Sequence, residues 1–186
     1  MLTILLGLWW LCAMIFTSES GLTDPGRLGE WAEWYRGHLA AMVTVPGISS
    51  AQRFRALDAG VPPSLAMYTV ASPAVFDSDI YRQTRGMGPF VAVIDERLHR
   101  RNLFEGLDRA PAIGPSDILL VADRTTAGPT AAGLVWLRAM GLDRSTPYRG
   151  IAVLADLAAA RALGAQIGGA ALYAPMTERF EGWGAG

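Results

Sequence analysis

The feature that most constrains the fold is an aromatic segment bounded by Asp24-Pro25 and Val45-Pro46-Gly47. Aspartate can cap a helix and proline suits the first helical position, whereas a Pro-Gly pair ends one. Within the segment, large side chains recur at steps of three and four, the spacing of one helical face: Leu28, Trp31, Trp34, Tyr35, His38, Leu39 and Met42. We therefore predict an amphipathic helix, Trp31–Met42, with an aromatic wall that carries a histidine.

Strand signals flank this helix on both sides. The apolar run Leu11–Thr17 precedes it, and the segments Ser50–Leu57 and Leu65–Ala71 follow it as a predicted hairpin. A second helix is predicted over Ser72–Thr84, because Ser-Pro suits a helix start, and Arg97–Phe104 predicts another strand. The resulting order, β-α-β-β-α-β, is that of a ferredoxin-like unit.

The second half predicts a shortened version of the same order. Beyond a connector at 108–117, we predict strands at Ile118–Asp123, Gly150–Ala155 and Ala170–Ala174, a helix opened by Gly128-Pro129 and running to about Met140, and a helix at Leu157–Leu163. We assign residues 1–107 to one ferredoxin-like unit with an apolar N-terminal extension, and 118–176 to a second, shortened unit. The tail, 177–186, is expected to be loose.

Composition restricts the classes of function. Hydrophobic residues make up 51% of the 186 residues and charged residues 18%, which excludes a disordered chain. A net charge of −1 argues against a nucleic-acid partner, because phosphate contact needs a basic face. Cys12 is the single cysteine, so an intrachain disulfide and a thiolate metal cluster are excluded. With two histidines and no metal-type spacing of ligands, we expect no metal site.

The uncharged residues 1–16 raise the question of a membrane or secretory segment. No basic residue precedes the apolar run, and Thr17-Ser18-Glu19-Ser20 is a poor cleavage site for a secretory signal. The run is also shorter than the roughly 20 residues that a spanning helix needs. We favour a buried strand preceded by apolar residues 1–10 over a membrane anchor, and a cytoplasmic protein over a secreted one.

An ordered series of short motifs resembles a known family. The series comprises Trp34-Tyr35-x-x-His38-Leu39, Val45-Pro46-Gly47, Arg53-Phe54-Arg55, Leu65-Ala66-Met67-Tyr68, and Ser72-Pro73 with Phe76. Over about residues 11–105 it resembles the EthD-like members of the dimeric α+β barrel superfamily. The resemblance implies an α+β fold of two ferredoxin-like units whose antiparallel sheets pack face to face as a barrel. Most members use two chains; here the shortened second half could close the barrel within one chain, or the protein could form a homodimer.

The chain departs from the family pattern next to the histidine. Arg36-Gly37 replaces the acidic residue that usually precedes it in the family. The resemblance nevertheless implies that His38 is a catalytic acid or base, whose pKa can move across neutrality. Tyr68, on a predicted strand, could supply a second proton-bearing group or a hydrogen bond to a developing oxyanion. The alternatives are a core histidine bonded to a backbone carbonyl and a tyrosine at the rim of a strand.

Other side chains are candidates for binding a substrate. Trp31, Trp34, Tyr35 and Tyr81 could contact a flat aromatic molecule, although an aromatic stripe on a helix is more often simply core. Arg53 and Arg55 share one side of their strand and could hold a carboxylate or enolate if that side faces the barrel interior; we favour solvent. His99 lies in a basic run and is expected to be solvated, while Arg101 could reach a ligand.

These candidates lead to three hypotheses of function. The first is a cofactor-independent isomerase, dehydratase, lyase or cyclase that moves a proton on a small aromatic or polyketide-like molecule. The second is a non-catalytic binding or accessory protein of a catabolic pathway. The third is a haem-binding protein with His38 as the axial ligand. The sequence contains no nucleophile elbow, phosphate loop or dinucleotide fingerprint, so we expect no cofactor of those classes.

Overall fold

The computed structural model describes residues 13–182 of the chain. Within that range the strands are β1 (Met14–Ser20), β2 (Ile48–Ala56), β3 (Ser64–Val70), β4 (Arg100–Glu105), β5 (Ile118–Arg124), β6 (Val135–Leu142), β7 (Tyr148–Leu154), β8 (Ala170–Pro175) and β9 (Phe180–Glu181). The α-helices are α1 (Leu28–Met42), α2 (Asp79–Thr84) and α3 (Leu157–Ile167). Short 3-10 helices occur at Pro25–Arg27, Pro73–Asp77 and Gly88–Val93.

The strands β1 to β8 close into an antiparallel barrel within one chain. Their order is β3-β1-β4-β6-β7-β5-β8-β2, and pairing of β2 with β3 completes the ring. The first half contributes the run β4-β1-β3-β2 and the second half the run β8-β5-β7-β6. Two seams join the halves, where β4 pairs with β6 and β2 pairs with β8.

Side chains alternate between the inside of the barrel and its outer face, as strand geometry requires. On β1, Ile15 belongs to the interior apolar cluster, whereas Met14 and Phe16 belong to the cluster beneath the helices of the first half. The interior cluster draws on both halves: Ile15, Phe54, Leu65, Met67, Phe104, Leu119, Val121, Leu137, Ile151 and Tyr173. The fold therefore has a core inside the barrel and separate layers under the helices.

An ionic cluster of the buried Arg149 and Glu19 with the partly exposed Asp123 links the two halves inside the barrel. The guanidinium of Arg149 is fully buried; its Nε and one terminal nitrogen donate to Asp123 at 2.8 and 2.6 Å. The same terminal nitrogen donates to Glu19 Oε1 at 2.6 Å, and the other donates to Thr17 at 3.1 Å. Burial alone would lower the pKa of Arg149, but the charges of Glu19 and Asp123 raise it above its usual value. One cation from β7 is thus bonded to both β5 and β1.

The aromatic helix α1 agrees with the prediction. Asp24 begins the turn that leads into it by accepting a hydrogen bond from the Gly26 amide at 2.9 Å. The residues that α1 buries follow helical spacing: Trp31, Tyr35, Leu39 and Met42. They pack against Phe16, Ala51, Ala66 and Tyr68 on the outer face of the first-half strands. Helix α1 therefore covers the sheet of the first half and leaves its other side exposed.

The predicted helix from Gly128-Pro129 to Met140 is wrong. Val135–Leu142 forms β6, which pairs with β4 and β7, and the segment 125–134 before it contains no helix. Inward residues Leu137 and Ala139 alternate with more exposed neighbours, so β6 follows a strand pattern that the Gly-Pro signal obscured. On the outer face, the Trp136 indole donates to the Pro129 carbonyl at 3.0 Å. It lies so close to Gly150 that an added Cβ there would be 3.0 Å away.

Other boundaries also differ from the predictions. The predicted helix Ser72–Thr84 is a 3-10 helix followed by the six-residue α2, because Ser78 adopts an extended conformation between them and caps α2. The predicted loose tail is ordered through residue 182, with Phe180–Glu181 paired to β2. The apolar residues 1–10, the start of the predicted strand at Leu11 and the last four residues of the tail lie outside the described residues. Among residues 13–182, no helix is long and apolar enough to cross a membrane.

Candidate functional site

A cavity of about 360 Å³ lies between α1, α2 and the outer face of the first-half strands. Its lining residues come from three strands, two helices, the loop after α2 and the residue before β4: Phe16, Ser18, Tyr35, His38, Met42, Tyr68, Tyr81, Arg82, Arg85, Gly86, Met87, His99 and Arg101. Four of the predicted site residues, His38, Tyr68, Tyr35 and Tyr81, therefore line one cavity. Ser18, Met87 and two of the arginines were not predicted, because their contribution depends on packing between distant segments.

His38 is held by the aromatic side chains that precede it on α1. Its ring stacks on Trp34 with centroids 4.9 Å apart and planes 12° apart, and meets Tyr35 edge-on at 5.7 Å. Burial lowers the pKa of His38 from 6.5 to about 4, because it removes the hydration that would stabilise the charged imidazolium. His38 is consequently neutral at physiological pH and can accept a proton.

Two tyrosine hydroxyls lie beside each other beneath His38. Tyr35 and Tyr68 are both buried, and Tyr68 stacks on Phe16 with centroids 5.0 Å apart. Burial raises the pKa of Tyr35, an effect that Arg53 and hydrogen bonding with Tyr68 and Ser18 partly offset. Burial and the neighbouring Tyr35 raise the pKa of Tyr68 well above its usual value. Both hydroxyls are therefore protonated at neutral pH.

Arg53 lies behind the two tyrosines. It faces neither the barrel interior nor solvent, the two environments that the sequence suggested. Its guanidinium carbon is 4.1 Å from the ring centroids of Trp31 and Tyr35, and its Nε donates to Ser64 at 2.8 Å. The expectation of a solvent-facing Arg53 is wrong, because α1 covers that side of β2. Arg55 is exposed beyond the helix. Trp31 and Arg53 thus form a layer behind the cavity, and Arg55 lies outside its lining.

The mouth of the cavity is basic. Arg82, Arg85 and Arg101 line it together with His99. The expectation that His99 is solvated is wrong: it is half-buried, and its Nδ1 is buried without a hydrogen-bond partner among the described residues. Burial raises the pKa of Tyr81, whereas Arg101 and Arg85 lower it, the former also by hydrogen bonding. Arg101, named from sequence as able to reach a ligand, therefore lies at the cavity.

The loop after α2 packs tightly against the aromatic wall. Gly88 has φ +48°, and a Cβ there would be 2.8 Å from Trp34 Cζ2 and Nε1. We expect Gly88→Ala to lower the free energy of unfolding by about 1–3 kcal/mol and to displace Trp34 from His38, measured by urea unfolding and tryptophan fluorescence. Gly60→Ala is the matched control, since Gly60 has φ +81° and open space around it. If both variants lost the same unfolding free energy, the close contact between Gly88 and Trp34 would contribute nothing to the loss in Gly88→Ala.

The described residues contain no group of three or more His, Cys, Asp or Glu side chains placed to hold a metal ion. The side chains that line the cavity offer the neutral imidazole of His38, three phenols and a set of guanidiniums. An imidazole can accept a proton, and phenols can donate hydrogen bonds to a developing oxyanion. This combination suits proton transfer or binding of an oxygen-rich ligand.

Comparison with known proteins supports the fold. Neither a protein-family model nor a curated protein matches the chain. Among solved structures, an anthrone oxidase-like protein matches with a TM-score of 0.60 at 12% identity, covering 94% of this chain and 95% of its own. A chlorite dismutase-like protein matches with a TM-score of 0.55 at 9% identity, covering 87% and 94% respectively. A monooxygenase-like protein from Lactobacillus acidophilus NCFM matches with a TM-score of 0.51 at 7% identity, covering 89% and 95%. The chain thus has the α+β barrel fold of these proteins.

Proposed function

We propose that the cavity is the active site of an enzyme that transfers a proton on a small aromatic or polyketide-like molecule without a cofactor. The observation that carries this proposal is the convergence of His38, Tyr35 and Tyr68 in one aromatic-lined cavity. His38, neutral at physiological pH, removes a proton from an enolisable or phenolic substrate. Tyr68 and Tyr35 donate hydrogen bonds to the oxyanion that results. Isomerisation, dehydration, lyase cleavage and cyclisation of enolisable substrates can each begin with such a step.

The fold assignment that accompanies this proposal is an EthD-like barrel of two ferredoxin-like units, the second one shortened. The strand order within each half supports it, because each half places its first strand between its third and fourth. The second half lacks a helix between its first two strands, as a shortened unit would. The neighbours that share the fold include oxidase-like and monooxygenase-like proteins, which favours an enzyme in general without favouring a reaction type.

Proton transfer is tested by hydrogen–deuterium exchange at the acidic C–H of enolisable aromatic ketones, which is at C10 of anthrone and at C2 of 1-tetralone, followed by NMR in D₂O. We expect the wild-type protein to accelerate exchange, and His38→Gln to reduce the acceleration by about 10²-fold or more. Tyr68→Phe should retain the base and lose part of the oxyanion stabilisation, giving a smaller reduction. Arg55→Gln, exposed and outside the cavity, is the control. Full exchange activity in His38→Gln would exclude this role for the histidine.

A non-catalytic binding protein is the second candidate, and the pKa of His38 favours it. An imidazole with a pKa of about 4 is a weak base in the absence of a ligand. A binding protein would show no exchange with any probe, and His38→Gln would change only ligand affinity. The third candidate, haem binding through His38, predicts a Soret band when haem is added to the purified protein. In the first two cases the partner is a small organic molecule.

A further inference from the structure

The mouth of the cavity carries positive charge that proton transfer at His38 does not use. Arg82 and Arg85 come from α2 and the residue that ends it, and Arg101 comes from β4. Among the described residues that line the cavity, none is an aspartate or a glutamate. Arg82 forms exposed ion pairs with Asp77 and Asp79 at 3.7 and 3.6 Å, whereas Arg85 forms no ion pair with any described residue, so the mouth keeps a net positive charge.

Arg101 is the arginine best placed to bind a ligand. Its side chain is only about a third exposed, and the nearest carboxylate oxygen, on Asp143, is 3.8 Å away. That separation exceeds a hydrogen bond, so the guanidinium keeps donors for another acceptor. Tyr81, buried in the cavity wall, interacts with the same guanidinium by hydrogen bonding. Arg101 is therefore oriented by the wall of the cavity and still has donors for a ligand.

His99 provides a second, independent indication of a missing partner. It lies two residues before Arg101 and lines the same cavity. Its Nδ1 is buried and has no hydrogen-bond partner among the described residues. Folded proteins rarely leave a buried polar atom unpaired, and such atoms often occur where a ligand completes the pairing. His99 and Arg101 thus line the same cavity, one with a buried nitrogen unpaired among the described residues and the other with available donors.

We propose that the cavity selects aromatic molecules that carry a carboxylate, and that Arg101 and His99 bind this group. A guanidinium matches a carboxylate with two parallel hydrogen bonds, and the His99 ring can donate a third from Nδ1–H. Phe16, Met42 and Met87 supply apolar contact for the rings. This inference rests on the proposed function only in requiring an aromatic ligand in the cavity. It adds the requirement that the ligand carry an acidic group, bound at the mouth of the cavity, as well as the reacting group near His38.

The test compares acid and amide pairs of the same ring system. The probes are benzoate, 1-hydroxy-2-naphthoate and anthraquinone-2-carboxylate, each against its uncharged carboxamide, with binding followed by tryptophan fluorescence and calorimetry. We expect the best-fitting acid to bind at least about tenfold more tightly than its amide, and this preference to weaken as salt is added. Arg101→Gln should remove most of the preference and leave the amide affinity unchanged. Arg100→Gln is the matched control, because Arg100 is the exposed neighbour on β4 and lies outside this cavity.

The outcomes separate this inference from the proposed function. If acid and amide bind equally, or Arg101→Gln weakens both equally, the carboxylate site is overturned while an aromatic cavity remains. If no probe binds with or without its charge, both the carboxylate site and the aromatic cavity are overturned. If the acid preference is lost in Arg101→Gln and ketone exchange is absent in the wild type, the carboxylate site holds and the enzymatic role fails. His99→Phe should lower acid affinity severalfold with little effect on the amide.

Discussion

Replacing Arg149 by methionine is expected to lower the free energy of unfolding by about 3–5 kcal/mol. Methionine has a similar length but no charge, so Glu19 and Asp123 would lose the cation that binds them both. Glu19 is almost completely buried, and one of its carboxylate oxygens already has no hydrogen-bond partner among the described residues. Removing the cation leaves this carboxylate uncompensated inside the barrel. Urea unfolding at neutral pH, followed by circular dichroism, measures the loss.

The matched control is Arg138→Met on the neighbouring strand β6. Arg138 pairs with Glu105, and both side chains are well exposed, so this change should cost less than about 1 kcal/mol. Adding Glu19→Gln and Asp123→Asn to Arg149→Met should recover part of the loss, because uncharged groups cost less to bury than an unpaired carboxylate. Equal losses in Arg149→Met and Arg138→Met would contradict a structural role for the ionic cluster.

The stability of the protein is expected to fall steeply as the pH is lowered from about 6.5 to 4, and His38 should account for much of the fall. The pKa of His38 is about 4 in the folded chain and about 6.5 in the unfolded chain, so the unfolded chain binds a proton first. Stability from this residue is fully present above pH 6.5 and is lost as the pH falls towards 4. The difference amounts to about 2 kcal/mol at pH 5 and about 3 kcal/mol at pH 4.

His38→Gln removes this titration and serves as the comparison. Urea unfolding at pH 7.5 and pH 5 gives, for the wild type and for His38→Gln, the loss of unfolding free energy between the two pH values, and these two losses are compared. Carboxylates titrate alike in both proteins, so the extra loss in the wild type reports His38 alone. An identical pH dependence in the two proteins would mean that the folded chain does not hold the imidazole neutral.

Local patterns predicted α1 and most strands because each of those elements has its own periodicity. Helix α1 buries Trp31, Tyr35, Leu39 and Met42 at helical spacing, and the same spacing is visible in the sequence. Strand β6 was mistaken for a helix because Gly128-Pro129 resembles a helix start, whereas its strand conformation depends on pairing with β4 and β7. The two-residue alternation of buried and exposed side chains in a strand is harder to recognise when a strong turn signal precedes it.

The candidate site was predictable only in part. His38 and Tyr35 could be named because helix spacing and the family resemblance both point to them, whereas Tyr68 could be named from a strand in the series of motifs that carries the resemblance. Alternation placed Arg53 on a particular side of its strand, but it could not indicate that α1 covers that side. The basic residues around His99 suggested solvent, whereas α2 and the loop after it enclose the ring. Such placements depend on contacts between distant segments, which no local pattern contains.

Because residues 125–134 form no helix, we expect the second half of the barrel to have no counterpart of the cavity and the chain to bind one ligand molecule. In the first half, α1 and α2 pack on the sheet and enclose a cavity with it. In the second half, residues 125–134 form no helix, and Trp136 lies against Gly150 on the outer face of the sheet. A barrel assembled from two identical chains would carry two equivalent cavities related by symmetry. This protein joins two unequal halves, and its ligand-binding capacity should therefore saturate at one molecule per polypeptide.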